Sequence, residues 1–328
     1  MGQVFLLGAG FTRAVMGEQA LLAKEIMPKL KGLESSEIVR GDFERKYPDF
    51  EQFITSIDLK YLRCKSIHSE TNRVLAGRYA DTRKMIVEQT VRLFDVERLS
   101  VGALDDHPLL KQFVEIIPHG SGVLTLNYDC VLDQALYLSK RWSPFGGYEI
   151  EGFPGAGNLN NQMDRILLLK LHGSCNFRER IGEGDDMVID ANEDLFPGIA
   201  PEMARECTGS GEHQLHVLLL SYIKECPRGI LTLWHRAMTA LSQADALVLV
   251  GCSLREEDTF LRFALYHFGM KADTDTFFIE IVDDGRENCR EIRKRIMNVV
   301  ANPRKVHTRE YEGGLASFLS EYVSVRRQ

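Results

Sequence analysis

Five apolar runs in this chain are each too short for a helix, and each ends in a short motif of glycine or polar residues. Gln3–Leu7 precedes Gly8-Ala9-Gly10-Phe11-Thr12, Ser121–Leu126 precedes Asn127-Tyr128-Asp129, and Arg165–Leu171 precedes His172-Gly173-Ser174. Ala244–Val250 then precedes Gly251-Cys252-Ser253-Leu254, and Asp275–Val282 precedes Asp283-Asp284. A run without alternating polar positions is a strand buried on both faces, and that requires a parallel sheet covered by helices. Stretches with helical spacing separate the runs: Ala14, Val15, Leu21, Leu22, Ile26 and Leu30 recur four and seven residues apart in the first. The fold class expected is α/β, a Rossmann-like, open, mostly parallel sheet carrying Leu7, Leu126, Leu171 and Val250. In such sheets ligands bind at the carboxyl ends of the strands, where all five motifs fall.

The pattern divides the chain. Residues 1–30 and 119–328 carry the strand–helix alternation of a Rossmann-like nucleotide-binding domain. Residues 31–118 show helical spacing alone, clearest in FEQFITSIDLKYL and RKMIVEQTVRLF, and read as a helical insertion. Ser143–Asn161 is rich in Gly, Pro and Asn and reads as turns or a hairpin. Residues 176–228 read as a second, irregular insertion with one short apolar run, Val217–Ile223. The tail reads as a strand at Lys305–Tyr311 and a final helix, LASFLSEYV.

Composition removes several classes of function. At 44% hydrophobic and 27% charged, the 328 residues are those of a globular protein rather than a disordered or fibrous one. A net charge of −7 argues against gripping nucleic acid through the whole surface, so no direct nucleic-acid partner is expected. Seven dispersed cysteines read as reduced thiols. The opening MGQVFLLGAG has neither the charged start nor the cleavage site of a secretory signal, and Leu6 breaks the myristoylation pattern begun by Gly2. No run approaches the roughly 20 apolar residues that span a bilayer. A cytoplasmic protein that does not engage membranes is expected.

Taken singly, each motif has a plain structural reading beside a functional one. Gly8-Ala9-Gly10-Phe11-Thr12 lets a backbone and a helix N-terminus approach a phosphate, or is only a tight strand–helix turn. Arg13 occupies the third glycine position of the dehydrogenase fingerprint, which therefore fails. Asn127 and Asp129 can bind a ribose or orient a water, or Asp129 simply caps the helix that starts at Val131. His172 can exchange protons with a ligand or serve as a buried structural hydrogen-bonder. Cys252 lacks neighbours that would make it a nucleophile.

In this order, followed by Asp258, the motifs GAGFT, NYD, HGS and GCSL resemble the sirtuin superfamily. The likeness is greater to the sirtuin-like domains of bacterial antiphage defence proteins than to protein deacetylases. LTLWHRAMTALSQADALVLVGCSLREED and DFEQFI, with Glu51, are similar to that branch as well. The resemblance implies NAD⁺ as substrate. Gly8, Ala9, Gly10, Phe11 and Thr12 would hold the pyrophosphate. Asn127 would contact the nicotinamide ribose or position a water, Asp129 would support the nicotinamide end, and His172 would be the general base on the ribose hydroxyls. Gly251 and Ser253 would line the adenosine side, and Asp283 would accept from the adenosine ribose.

The chain departs from the deacetylases in three respects. Cys175, Cys207 and Cys226 lack the paired C-x₂₋₄-C spacing of a zinc ribbon, so no metal is expected. GCSL replaces GTSL, and no acyl-lysine groove is visible. Water becomes the natural acceptor, and hydrolysis of NAD⁺ to nicotinamide and ADP-ribose becomes the expected activity. Two alternatives stay open: NAD⁺-dependent deacylation or ADP-ribosyl transfer, and a non-catalytic sensor of NAD⁺ or ADP-ribose. The resemblance further implies a homo-oligomer working beside a partner such as an ATPase or another sensor subunit.

Overall fold

The computed structural model describes residues 2–30, 47, 50–95, 97–148, 166–180, 187–208, 213–217, 219, 221, 228–256, 258–272, 274 and 276–326. In chain order the strands are β1 (Gln3–Leu7), β2 (Gly122–Thr125), β3 (Leu167–Lys170), β4 (Gly173–Arg180), β5 (Met187–Ile189), β6 (His213–Val217), β7 (Ala246–Val250), β8 (Phe277–Val282) and β9 (Val306–Tyr311). The helices of the first half are α1 (Ala9–Met16), α2 (Ala23–Ile26), α3 (Phe50–Ser66), α4 (Glu70–Leu93), α5 (Pro108–Ile116), α6 (Val131–Leu138) and the single turn α7 (Pro144–Gly147). Those of the second half are α8 (Pro201–Thr208), α9 (Arg228–Gln243), α10 (Thr259–Tyr266), α11 (Arg286–Met297) and α12 (Gly314–Arg326). Among the described residues no helix is long and apolar enough to cross a membrane.

Six strands form one parallel sheet in the order β3-β2-β1-β7-β8-β9. The apolar runs explain it: Val4 to Leu7, Leu168 and Leu169, and Leu247 to Val250 are buried, so helices must cover both faces. The chain leaves β1 toward β2 and β3 on one side and later builds β7, β8 and β9 on the other. The direction of winding therefore reverses between β1 and β7. In a doubly wound sheet such a switch point opens a crevice at the carboxyl edge, because the two loops there run apart.

Glycine decides how closely the edges of that crevice meet. Gly8 N donates to Val250 O (3.1 Å) and Gly10 N to Gly251 O (3.0 Å), joining the exits of β1 and β7. A Cβ on Gly8 would sit 2.5 Å from Gly251 O, and one on Gly10 2.7 Å from Gly251 Cα. Gly251, at φ +57°, would bring a Cβ within 2.3 Å of Gly10 C. Gly251→Ala is thus expected to destabilise the fold by ~2 kcal/mol or more, combining left-handed strain with a backbone clash. Chemical denaturation would measure it, and a loss below about 0.5 kcal/mol would show that this contact is loose.

Two parts of the chain differ from what the sequence suggested. Residues 176–228 hold more order than an irregular insertion: β5, β4 and β6 form a three-stranded antiparallel sheet, and α8 adds a helix. The strand expected to run to Leu171 ends one residue sooner. β3 stops at Lys170, Leu171 N still donates to Thr125 O (2.9 Å), and Gly173 at φ +80° turns the chain straight into β4. Within 31–118, residues 31–46 lie outside the described residues, as do 149–161 of the stretch read as turns or a hairpin. α3 and α4 pack on each other, whereas α5 covers the parallel sheet, its Phe113 ring edge-on to Phe5 at 5.7 Å and against Phe11 at 4.7 Å.

Candidate functional site

A cavity of ≈ 640 Å³ occupies the switch-point crevice, within the roughly 300–1,000 Å³ typical of small-molecule sites. Of the residues singled out from the sequence, Gly8, Ala9, Gly10, Thr12, Asn127, Asp129, His172, Gly251, Ser253 and Asp283 line it. Phe11 does not line it. Its ring is buried in the core beneath α1, 1% exposed and against Phe113, so any role it has toward a ligand is confined to its backbone.

Asn127 stands just past β2 and is fixed by both amide hydrogens. Nδ2 donates to Gly8 O and to Thr12 Oγ1, each at 2.9 Å. A main-chain carbonyl can only accept, so the amide orientation is settled, and Oδ1 is the atom left to accept from a ligand or a water. Thr12 passes its own hydroxyl hydrogen to Asp129 Oδ2 (2.9 Å). Its hydroxyl hydrogen is thereby committed within the motif. Asp129 also accepts from Val131 N through Oδ1 (3.1 Å), tying the motif to the start of α6. Burial raises its carboxyl pKa, and Lys170 and the two hydrogen bonds pull against that shift.

His172 is 1% exposed, with its ring tilted against Trp234 at 6.1 Å between centroids. Its Nε2 lies 2.9 Å from Asp258 Oδ2. Asp258 in turn caps α10, accepting from Leu261 N through Oδ1 (3.2 Å). The carboxylate that starts a helix thus also fixes the imidazole.

At the other end of the cavity Asp283 closes β8, accepts from Asn288 Nδ2 (2.9 Å), and has its pKa raised by burial. Ser253 lines the wall between, its carbonyl accepting from Arg295 Nη1 (2.7 Å). Burial pushes the Cys252 thiol up to about 12, so it carries no thiolate at neutral pH. Among the described residues no group of three or more His, Cys, Asp or Glu could hold a metal ion, and Cys226 lies outside those residues.

Several residues in or next to the cavity were given no role by the sequence. Lys170, 0% exposed at the end of β3, lies 3.2 Å from Asp133 Oδ2 and also donates to the carbonyl of Asp129. Burial alone would lower its pKa, but Asp133 and the other acidic neighbours outweigh burial and raise it. A lysine inside LLLKL is the one clue, and it does not name a partner. Arg13 holds the segment that follows α1 over the cavity, donating to Ala20 O (2.7 Å) and meeting Glu25 Oε2 at 3.4 Å. Arg255 pairs with Glu51, 204 positions away, at 2.7 Å.

No family model matches this chain, and no curated protein matches it. Solved structures are similar to it. A structure of a Sir2 enzyme is 14% identical, over 100% of this chain and 94% of that one, with a TM-score of 0.41. A complex of a Sir2 homologue mutant with ADP-ribose is 12% identical over 99% and 92%, with a TM-score of 0.43. A complex of a Sir2 homologue with NAD is 12% identical over 100% and 91%, with a TM-score of 0.38.

Proposed function

We propose that the chain binds NAD⁺ in the switch-point cavity and hydrolyses its nicotinamide–ribose bond. The observation that carries the reading is the convergence of Asn127 and His172, from the exits of neighbouring strands, on one cavity floored by the Gly8–Thr12 turn. In the reaction the C1′–N bond breaks, its electron pair leaves with neutral nicotinamide, and a water oxygen bonds to C1′. Nicotinamide is a cationic leaving group, so the site needs orientation and one proton acceptor more than it needs a strong acid. Asn127 Oδ1 is suited to orient the water or a ribose hydroxyl. The ring of His172, held by Asp258, is suited to take the proton.

The proposal extends to the setting: an NAD⁺-consuming effector of antiphage defence, cytoplasmic and homo-oligomeric, beside a partner ATPase or other sensor subunit. Support for that extension is the motif resemblance alone. The test is to incubate NAD⁺ with the purified protein, alone and with proteins encoded beside its gene, and to quantify nicotinamide and ADP-ribose. Equimolar release of both is expected. NAD⁺ binding without turnover under every condition would favour a sensor, and release only in the presence of an acyl-lysine peptide would favour deacylation.

A further inference from the structure

One polar pair in the cavity has no part in the chemistry proposed above. Glu51 sits in the first turn of α3, where a carboxylate suits the positive end of the helix, and is 5% exposed. Arg255 follows the β7 exit, and its Nη1 donates to Glu51 Oε1 at 2.7 Å. Both line the cavity together with Tyr128, His172 and Asp258. Burial raises the Tyr128 phenol pKa, and the negative charges of Asp258 and Glu51 raise it further, which puts both carboxylates close to that ring.

The backbone points the same way. Leu254, immediately before Arg255, is a buried non-glycine residue at φ +46°. An L side chain keeps that conformation only where its surroundings over-determine it, and such positions gather at working sites. Here the strained residue delivers the guanidinium to the first turn of α3. The same turn reaches the second insertion: Thr55 Oγ1, bonded to Glu51 O at 2.7 Å, is 3.4 Å from Ser221 Oγ, and Ser221 also lines the cavity.

We propose that Glu51 and Arg255 are positioning residues. Their ion pair pins α3 to the exit of β7 and so fixes the cavity wall beside the His172–Asp258 pair. An inserted helix thereby becomes part of the substrate site. The inference rests on the NAD⁺ reading for its kinetic consequence but not for the pin itself.

The test compares Glu51→Gln, Arg255→Gln and the double variant, with three readouts. These are kcat and KM for NAD⁺, the affinity for ADP-ribose by calorimetry, and hydrogen exchange of the amides in the first turns of α3. Each single variant is expected to raise KM and weaken ADP-ribose binding about three- to tenfold, the usual effect of losing a charge-assisted hydrogen bond. Exchange in α3 should speed up, and kcat should change less than KM. The loss in the double variant should be smaller than the product of the two single losses, because the two residues share the Nη1–Oε1 contact. Multiplying effects in the double variant, or unchanged exchange in α3 with either single variant, would overturn the proposal. If the chain releases no nicotinamide at all, exchange and ADP-ribose affinity still decide whether the pin exists.

Discussion

His172→Ala is expected to cut nicotinamide release by roughly 10²–10⁴-fold, the usual contribution of a positioned acid–base group. The ring lines the cavity and is held rigidly, through Nε2 to Asp258. Truncation also leaves a hole beside Trp234, because His172 is 1% exposed rather than perched at an open strand end. A stability loss should therefore accompany the kinetic one. Asp258→Asn separates the two effects: it keeps the ring in place and the α10 cap occupied while changing the charge that faces Nε2. Its turnover should fall with little change in melting temperature. Asn127→Ala should lower turnover at least as clearly, since it removes both the Oδ1 acceptor and the clamp on Gly8 and Thr12. Each variant needs its ADP-ribose affinity measured beside its rate. A folded His172→Ala protein that binds ADP-ribose and still hydrolyses NAD⁺ at the parental rate would sink the assignment.

Lys170→Met is expected to cost about 3–5 kcal/mol of stability, the range for removing one partner of a buried ion pair. Lys170 and Asp133 are 0% and 1% exposed by side chain, so neither charge has water to fall back on. The variant leaves Asp133 uncompensated and also frees the carbonyl of Asp129, next to the Thr12 and Asn127 chain. The companion Lys170→Met/Asp133→Asn keeps a hydrogen-bonding group beside Tyr148 and removes the stranded charge. It should recover a substantial part of the loss. Denaturant midpoints for both variants check this. A single-variant loss under about 1 kcal/mol, or a double variant no better than the single one, would show that the pair is not what holds this end of the sheet.

Much of the fold was legible in the sequence because it depends on local pattern. Unbroken apolar runs such as Val4–Leu7 and Leu247–Val250 can only be strands covered on both faces, and that alone implies a parallel sheet with its ligand edge at the strand exits. The strand exits then delivered the glycine turns, Asn127 and His172 to one cavity, because a parallel sheet presents all its carboxyl ends together. The small antiparallel sheet was missed because β4 (GSCNFRER) and β6 (HQLHV) mix polar and charged residues in place of an unbroken apolar run, and β5 has only three residues.

What the tertiary structure alone decided is pairing. The sequence places glycines at 8, 10 and 251, but only the adjacency of β1 and β7 shows that they fit against one another, with no room for a Cβ. His172 with Asp258, Lys170 with Asp133 and Glu51 with Arg255 are joined across 86, 37 and 204 positions. Spacing along the chain carries no record of such partners. Helical and strand periods fix which way a side chain faces within its own element, whereas its partner depends on which distant element the winding of the sheet brings alongside.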